Sequence, residues 1–201
     1  MPTAHEIVEH KPAEPPHGQS PFLPGKEPRP GVEVVRYDSR WPEAYQVLQQ
    51  RVRASLGRRV LALDHVGSTA VPGLAAKPVI DLTLIVADPA EEDAWVPDLE
   101  AAGFDLVIRE PWWYEHRALV HTEPRSNLHV YGPDAAEPVR QRMFRDWLIE
   151  HPDDRALYEQ AKLSSAEAAN DAGEHVMQYN ARKERVIRDI YDRAFRAAGL
   201  L

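Results

Sequence analysis

The run PVIDLTLIV, residues 78–86, is apolar enough for the interior of a sheet, yet it carries one acid, Asp81. Its length, its β-branched residues and the preceding turn residues mark a strand. A carboxylate there is shut away from water and must be satisfied by a metal, a basic side chain or backbone donors. Side chains alternate along a strand, so Asp81 shares a face with Val79, Thr83 and Ile85. A fold that accepts this segment needs a mostly buried sheet with a polar position inside it.

The flanking pattern supplies the rest of that fold. VEVVRY (32–37) and RVLALDHV (59–66) read as strands. Between them, Trp41, Tyr45, Leu48, Val52 and Leu56 form one helical stripe, with Pro42 in the first turn and Gly57 as the stop. A helix is expected over about 89–102, ending at Gly103, followed by strands at 104–110, 116–121 and 127–131. From 135 onward the periodicity is helical, and Val186, Ile187, Ile190, Tyr191 and Phe195 take core-facing positions. Strands first and helices last predict an α+β fold: a mixed sheet flanked by helices, with a helical C-terminal region. Residues 32–201 are expected to form one domain, its sheet part about 32–134 and its helical part about 135–201. Residues 1–31, broken by eight prolines, are expected to be a disordered leader.

A formal net charge of −8 argues against general nucleic-acid binding, and the absence of cysteine excludes disulfides, thiolate metal sites and a cysteine nucleophile. The N-terminus lacks a signal pattern, and no apolar run approaches the ~18 residues of a membrane span. A cytoplasmic protein with a small-molecule partner is the expectation. The oligomeric state is left open, because no surface stripe marks a dimer interface.

Several residues can carry chemistry. Gly67 permits close approach of backbone to a ligand, and Ser68 and Thr69 add hydroxyls beside it, which together make an anion cradle. Lys77 precedes the acid-bearing strand and can reach the same crevice. His65 lies just before the turn; His129 shares a strand face with Asn127 and Tyr131; His116 and Arg117 open one strand and His121 closes it. Tyr114, with Trp112 and Trp113, can wall a substrate, with Arg117 pairing an anion, while Asn180, Arg182 and Lys183 open the last helical stretch. For each there is a plainer alternative: an ordinary turn, a solvated lysine or a hydrogen-bonded core histidine.

Taken in order, VEVVRYDSRWPEAYQ, DHVGSTAVPGLAAKPVIDLTLIV, WYEHRALV, NLHVYGPD, RMFRDWLIEHPDDRALYEQAK and YNARKERVIRDIYDRAF resemble the GrpB (UPF0157) family over about residues 32–198. The resemblance implies a nucleotidyltransferase-like fold with its site between the Gly67-Ser68 turn and Asp81. In that superfamily two carboxylates, two positions apart, hold metal ions, and a third acid lies on a later strand. Here the partner position is Thr83, and His129 stands in NLHVY where an acid is expected. Two hard dications need several carboxylates, so the resemblance implies one divalent ion (Mg²⁺ or Mn²⁺) on Asp81, or none. Three expectations follow. One is nucleotidyl transfer, the partner being a nucleotide. Another is acid–base chemistry on a different small molecule (dehydration, elimination or cyclisation), with Asp81 and His65 or His129 as the catalytic groups. The last is ligand binding without turnover. Gly67, Ser68, Thr69, Lys77, Tyr114, His116, Arg117, Asn127 and Lys183 are the expected substrate or anion contacts.

Overall fold

The computed structural model describes residues 1–28 and 30–201, and the following concerns those residues. Five strands, β1 (Ala62–Val66), β2 (Ile80–Ile85), β3 (Asp105–Glu110), β4 (His116–Thr122) and β5 (Arg125–Tyr131), form one sheet in the order β1-β2-β5-β4-β3. Strands β2 and β5 run parallel, and every other neighbouring pair is antiparallel. A parallel pair needs a crossover rather than a hairpin, and β3 and β4 lie within that connection. The acid-bearing segment is therefore an interior strand, with Leu82 and Leu84 fully buried.

The two faces of the sheet differ chemically. Leu63, Ile80, Leu82, Leu84, Leu119, Leu128 and Val130 pack against Trp41, Leu48, Val52 and Leu56 of α2 (Trp41–Leu56) and Leu99 of α3 (Val96–Ala101). The stripe in α2 was legible from its spacing, and Gly57 ends the helix with a left-handed φ of 54°. The opposite face carries Asp64, Asp81, Thr83, Asn127 and His129, brought into line by the register Asp64↔Thr83, Asp81↔Asn127 and Thr83↔His129.

Three helices cover that polar face. From α4 (Glu137–Glu150), Gln141 accepts the Thr83 hydroxyl, Arg142 pairs with Asp64 at 3.1 Å, and Arg145 donates to the His65 carbonyl at 2.8 Å. Helices α5 (Pro152–Asp171) and α6 (Val176–Ala197) continue the layer. A second core of Val71, Leu74, Leu148, Tyr158 and Ile190 joins the loop after the glycine turn to these helices. Burying that loop under α5 and α6 places helical side chains directly over the turn.

Two elements differ from the expectation. VEVVRY makes only one bridge, Val35 with Ala76, because Pro78, which faces Glu33 in that register, has no N–H for the next ladder bond. The helix expected over 89–102 begins only at Val96, where Pro97 takes a first-turn position. Glu92 lies upstream in a 3-10 turn, held by Arg109 and Arg117.

The leader is largely exposed, but it is tethered to the body. It contains α1 (Ala4–Val8), whose C-terminal region is held by buried Arg140 donating to the carbonyls of Glu6, Ile7 and Glu9. The indoles of Trp112 and Trp113 donate to the carbonyls of Ala13 and Lys11. A proline-rich chain has lost N–H groups but keeps its carbonyls, so donors from the body are the partners it can use.

Candidate functional site

The turn after β1 is built around contact with Asp81. Gly67 has a left-handed φ of 69°, and a Cβ placed there would lie 2.5 Å from Asp81 Oδ2 and 3.0 Å from its Cβ. Only glycine lets the backbone close so tightly over the carboxylate. The other oxygen of Asp81 accepts from Asn127 Nδ2 at 2.9 Å. The half-buried Ser68 hydroxyl has no partner among the described residues, so it is free to meet a ligand. Thr69 is buried, its hydroxyl donating to the Val79 carbonyl at 3.4 Å and lying 3.0 Å from His65 Nε2. Thr69 braces the turn from behind and does not present its hydroxyl to a ligand.

Three lysines from three separate segments meet beside this turn. Lys183 of α6 lies over the rings of Tyr179 and Tyr158 at 4.9 and 5.8 Å. Lys162 of α5 lies over Tyr158 at 5.2 Å, and Lys77 over Tyr179 at 5.7 Å. Aromatic faces tolerate an ammonium group that has left water. Lys162 is only 2% exposed, with its Nζ donating to the Ala75 carbonyl. Burial pushes Lys162 down to about 7, the neighbouring Lys183 charge adds to the fall, and Asp81 opposes it. Burial also lowers Lys77, against the pull of Asp81. The nearby carboxylate of Glu159 is turned to the Ala75 N–H at 3.1 Å.

This donor set suits an anion better than a resident metal. Among the described residues no group of three or more His, Asp or Glu side chains is arranged to hold a metal ion. Thr83, at the position of the second superfamily carboxylate, is bonded to Gln141. A dication on Asp81 would face several ammonium groups with a single carboxylate to hold it, whereas hard ions take six or more oxygen ligands. The residues present do not fit a two-metal centre.

A second cluster lies further along the same face. Glu110 and His116 are the pair that closes the β3–β4 hairpin, and Glu110 Oε2 lies 2.6 Å from His116 Nδ1. His116 Nε2 lies 3.0 Å from His129 Nδ1, with the ring centroids 5.2 Å apart and the ring planes within 19° of parallel. Burial raises Glu110 to about 7 and holds His116 and His129 well below the ordinary histidine range, so both imidazoles are neutral. The turn that returns the chain from Glu110 to His116 holds Tyr114 and Glu115 at φ of 55° and 51°. Two successive non-glycine residues in that region are uncommon and store strain.

Several expected contacts lie elsewhere. His65 is paired with Leu82, on the opposite face of the sheet from Asp81, where it stacks on Tyr45 at 4.6 Å. It cannot act as Asp81's partner on the polar face. Arg117 is likewise paired with Val130 on the apolar side, 7% exposed, and bonded to Glu92 at 2.6 Å. Its charge is consumed structurally. The Tyr114 hydroxyl accepts from Arg140 at 3.2 Å, and His121 is held by Arg51 and the Pro124 carbonyl. Arg182 pairs with Glu174 at the surface. Gly67, Ser68, Lys77, Asp81, Asn127 and Lys183 are gathered at one place, with His129 and His116 further along the same sheet face. Lys162 was missed: a lysine within a helical segment gives no sign of being buried.

A small mixed sheet with a Gly-Ser turn closing on an acid-bearing interior strand fits a nucleotidyltransferase-like fold. Residues 31–193 match the family described as GrpB protein, and the chain belongs to that family. It is 40% identical over 163 residues to a UPF0157 protein of Halalkalibacterium halodurans, covering 81% of this chain and 82% of that one. It is 42% identical over 165 residues to a UPF0157 protein of Streptomyces coelicolor, covering 81% and 84%. A dephospho-CoA kinase of Mycolicibacterium paratuberculosis is 32% identical over 193 residues, covering 83% of this chain but only 47% of the kinase. Among solved structures, the conserved protein GrpB from Enterococcus faecalis superposes with a TM-score of 0.72 at 28% identity, covering 83% of this chain and 99% of that one.

Proposed function

We propose that this protein binds a phosphate-bearing small molecule, a nucleotide first among them, with the phosphates held by the Gly67-Ser68 turn and by Lys77, Lys162 and Lys183. The observation that carries this reading is the gathering of three lysines from separate segments beside one carboxylate that is already bonded to Asn127. Buried positive charge of this kind is costly unless an anion compensates it. The lysines supply the charge neutralisation that carboxylate-bound metal ions would otherwise give, and Asp81 acts on Lys77 through its charge. The mycobacterial dephospho-CoA kinases that share this region are named for chemistry on a phosphate-bearing cofactor, which is compatible with such a ligand.

The test is a chemical-shift survey of labelled protein with nucleoside triphosphates, nucleoside diphosphates, pyrophosphate and simple carboxylates. Perturbations centred on Gly67, Ser68 and the three lysines, larger for phosphates than for carboxylates, are expected. Perturbations scattered over the surface, or none with any phosphate, would overturn the reading.

A second reading has its own observation. His129 is a neutral imidazole on the face of Asp81, and its Nε2 has no partner among the described residues. A neutral imidazole with a free nitrogen is the usual general base. This favours acid–base chemistry on the bound molecule: dehydration, elimination or cyclisation. It predicts that His129→Gln keeps phosphate binding and loses turnover.

A further inference from the structure

We propose that Glu110, His116 and His129 form a proton relay that lets His129 Nε2 take a proton from, or return one to, a molecule bound on the polar face of the sheet. The inference rests on the second reading above, that His129 acts as a base there, and adds the route by which the proton leaves.

The geometry fixes the route. Glu110 Oε2 to His116 Nδ1 is 2.6 Å and His116 Nε2 to His129 Nδ1 is 3.0 Å, so three groups on three adjacent strands form one continuous chain. The cross-strand pairing of Glu110 with His116 supplies the first link. His116 is clamped between Tyr131, stacked at 4.7 Å, and Trp113, edge-on at 5.4 Å, which leaves the ring little freedom to turn away.

With both imidazoles neutral, each ring carries one proton, and the state of Glu110 dictates where it sits. When Glu110 is ionised it accepts from His116 Nδ1–H. His116 Nε2 is then bare and accepts from His129 Nδ1–H, so His129 Nε2 is bare and acts as a base. When Glu110 is protonated it donates to His116 Nδ1. His116 Nε2–H then donates to His129 Nδ1, and His129 Nε2–H is an acid. In the forward step a substrate X–H gives its proton to His129 Nε2, the Nδ1 proton of His129 passes to His116 Nε2, and the Nδ1 proton of His116 passes to Glu110. The products are X⁻ and a neutral carboxylic acid, with both imidazoles neutral again. Glu110, whose side chain is 13% exposed, then exchanges its proton with solvent.

The surroundings suit a neutral chain. Arg117 discourages a charge on His116; Asp81, Glu137 and Glu110 act on His129 in the opposite sense. Glu137 is itself paired with Arg140 at 2.8 Å. Burial lifts Glu110 to about 7, where a proton store is half filled at neutral pH. Glu110 and His116 are positioning residues in this scheme, since only His129 faces the ligand.

The test is the tautomeric state of each ring, read from the nitrogen shifts of histidine-labelled full-length protein between pH 5 and 9, without ligand. The relay requires His116 and His129 to exchange Nε2–H for Nδ1–H together, with one shared midpoint near 7. In Glu110→Gln that shared step should vanish, and in Glu110→Asp it should return at a shifted midpoint. Rings that keep one tautomer throughout in the wild-type protein, or a step that persists in Glu110→Gln, would overturn the relay. If Glu110→Gln fails to fold, the wild-type titration and Glu110→Asp still decide. Because the titration needs no ligand, it tests the relay whether or not phosphate binds, and a failed relay leaves the phosphate-binding measurements unaffected.

Discussion

Single residues set the character of the crevice, and Gly67 sets it most. Two glycines in the same loop separate backbone strain from contact. Gly67 and Gly73 both have left-handed φ, 69° and 80°, but a Cβ at 73 meets nothing within 4 Å, whereas one at 67 runs into Asp81. Gly73→Ala should cost about 1–2 kcal/mol from the backbone alone. Gly67→Ala should cost more and should also displace Asp81, abolishing phosphate binding; denaturant unfolding paired with calorimetry checks both. Lys162 makes the reverse case. Its depressed pKa means the folded state resists carrying its charge, a cost present in full below about pH 7 and relieved as pH rises toward the ordinary lysine value. Lys162→Met should therefore stabilise the protein at pH 6–7, by on the order of 1 kcal/mol or more, while weakening phosphate binding at least tenfold. A destabilised Lys162→Met that binds phosphate normally would count against its role.

Among the elements, the strands bury titratable groups and so write the pH dependence of stability. His65, His116 and His129 are all held neutral by burial, His65 and His129 down to about 4. Their contribution is complete above the ordinary histidine pKa and is lost as pH falls from about 6.5 toward 4. Glu110, raised to about 7, acts with the opposite sign: it favours the folded state at low pH and loses that contribution as pH rises from about 4.5 through 7. Three groups outweigh one, so unfolding free energy should fall by roughly 1–3 kcal/mol per pH unit between pH 6 and 5. His65→Gln should shallow that slope by about one proton, measurable in urea titrations at several pH values. The same strands show what could be read in advance. The interior position of β2 and the face of Asp81 followed from composition and alternation. The place of His65 did not, because strand parity says only that it opposes Asp64. Which of them joins Asp81 depends on the β1–β2 register, Val66↔Asp81, that the chain alone does not display. Arg117 went astray for the same reason, and its partner Glu92 lies 25 residues away.

Across the whole molecule, the fold class, the strand-then-helix order and the place of the crevice were legible, because each rests on local periodicity or on the Gly67-to-Asp81 segment. The lysine cluster and the histidine chain were not, because they join side chains from the segment before β2, from α5 and α6, and from three strands through long-range packing. Their chemistry also runs against the global charge: a chain of formal charge −8 turns several lysines inward. The leader belongs to this scale too. It touches the body through Arg140, Trp112 and Trp113, through Lys26 with Asp105, and through backbone bonds of Pro21 and Leu23 to β3; among the described residues it makes no hydrogen bond to Asp81 or the three clustered lysines. Removing residues 1–28 should lower stability by about 1–3 kcal/mol, since the buried Arg140 would lose three carbonyl acceptors. Pyrophosphate affinity should stay within about twofold; a larger loss would show that the leader helps form the site.

The reading of the crevice turns on whether lysines, rather than a resident metal, neutralise the bound anion. Calorimetric titration of pyrophosphate and ATP into metal-stripped protein, repeated with Mg²⁺ and with Lys183→Met and Asp81→Asn, separates the two. A lysine site binds without added metal, and its affinity falls at least tenfold in Lys183→Met. Binding that appears only with Mg²⁺, is lost in Asp81→Asn and is indifferent to Lys183→Met would refute it.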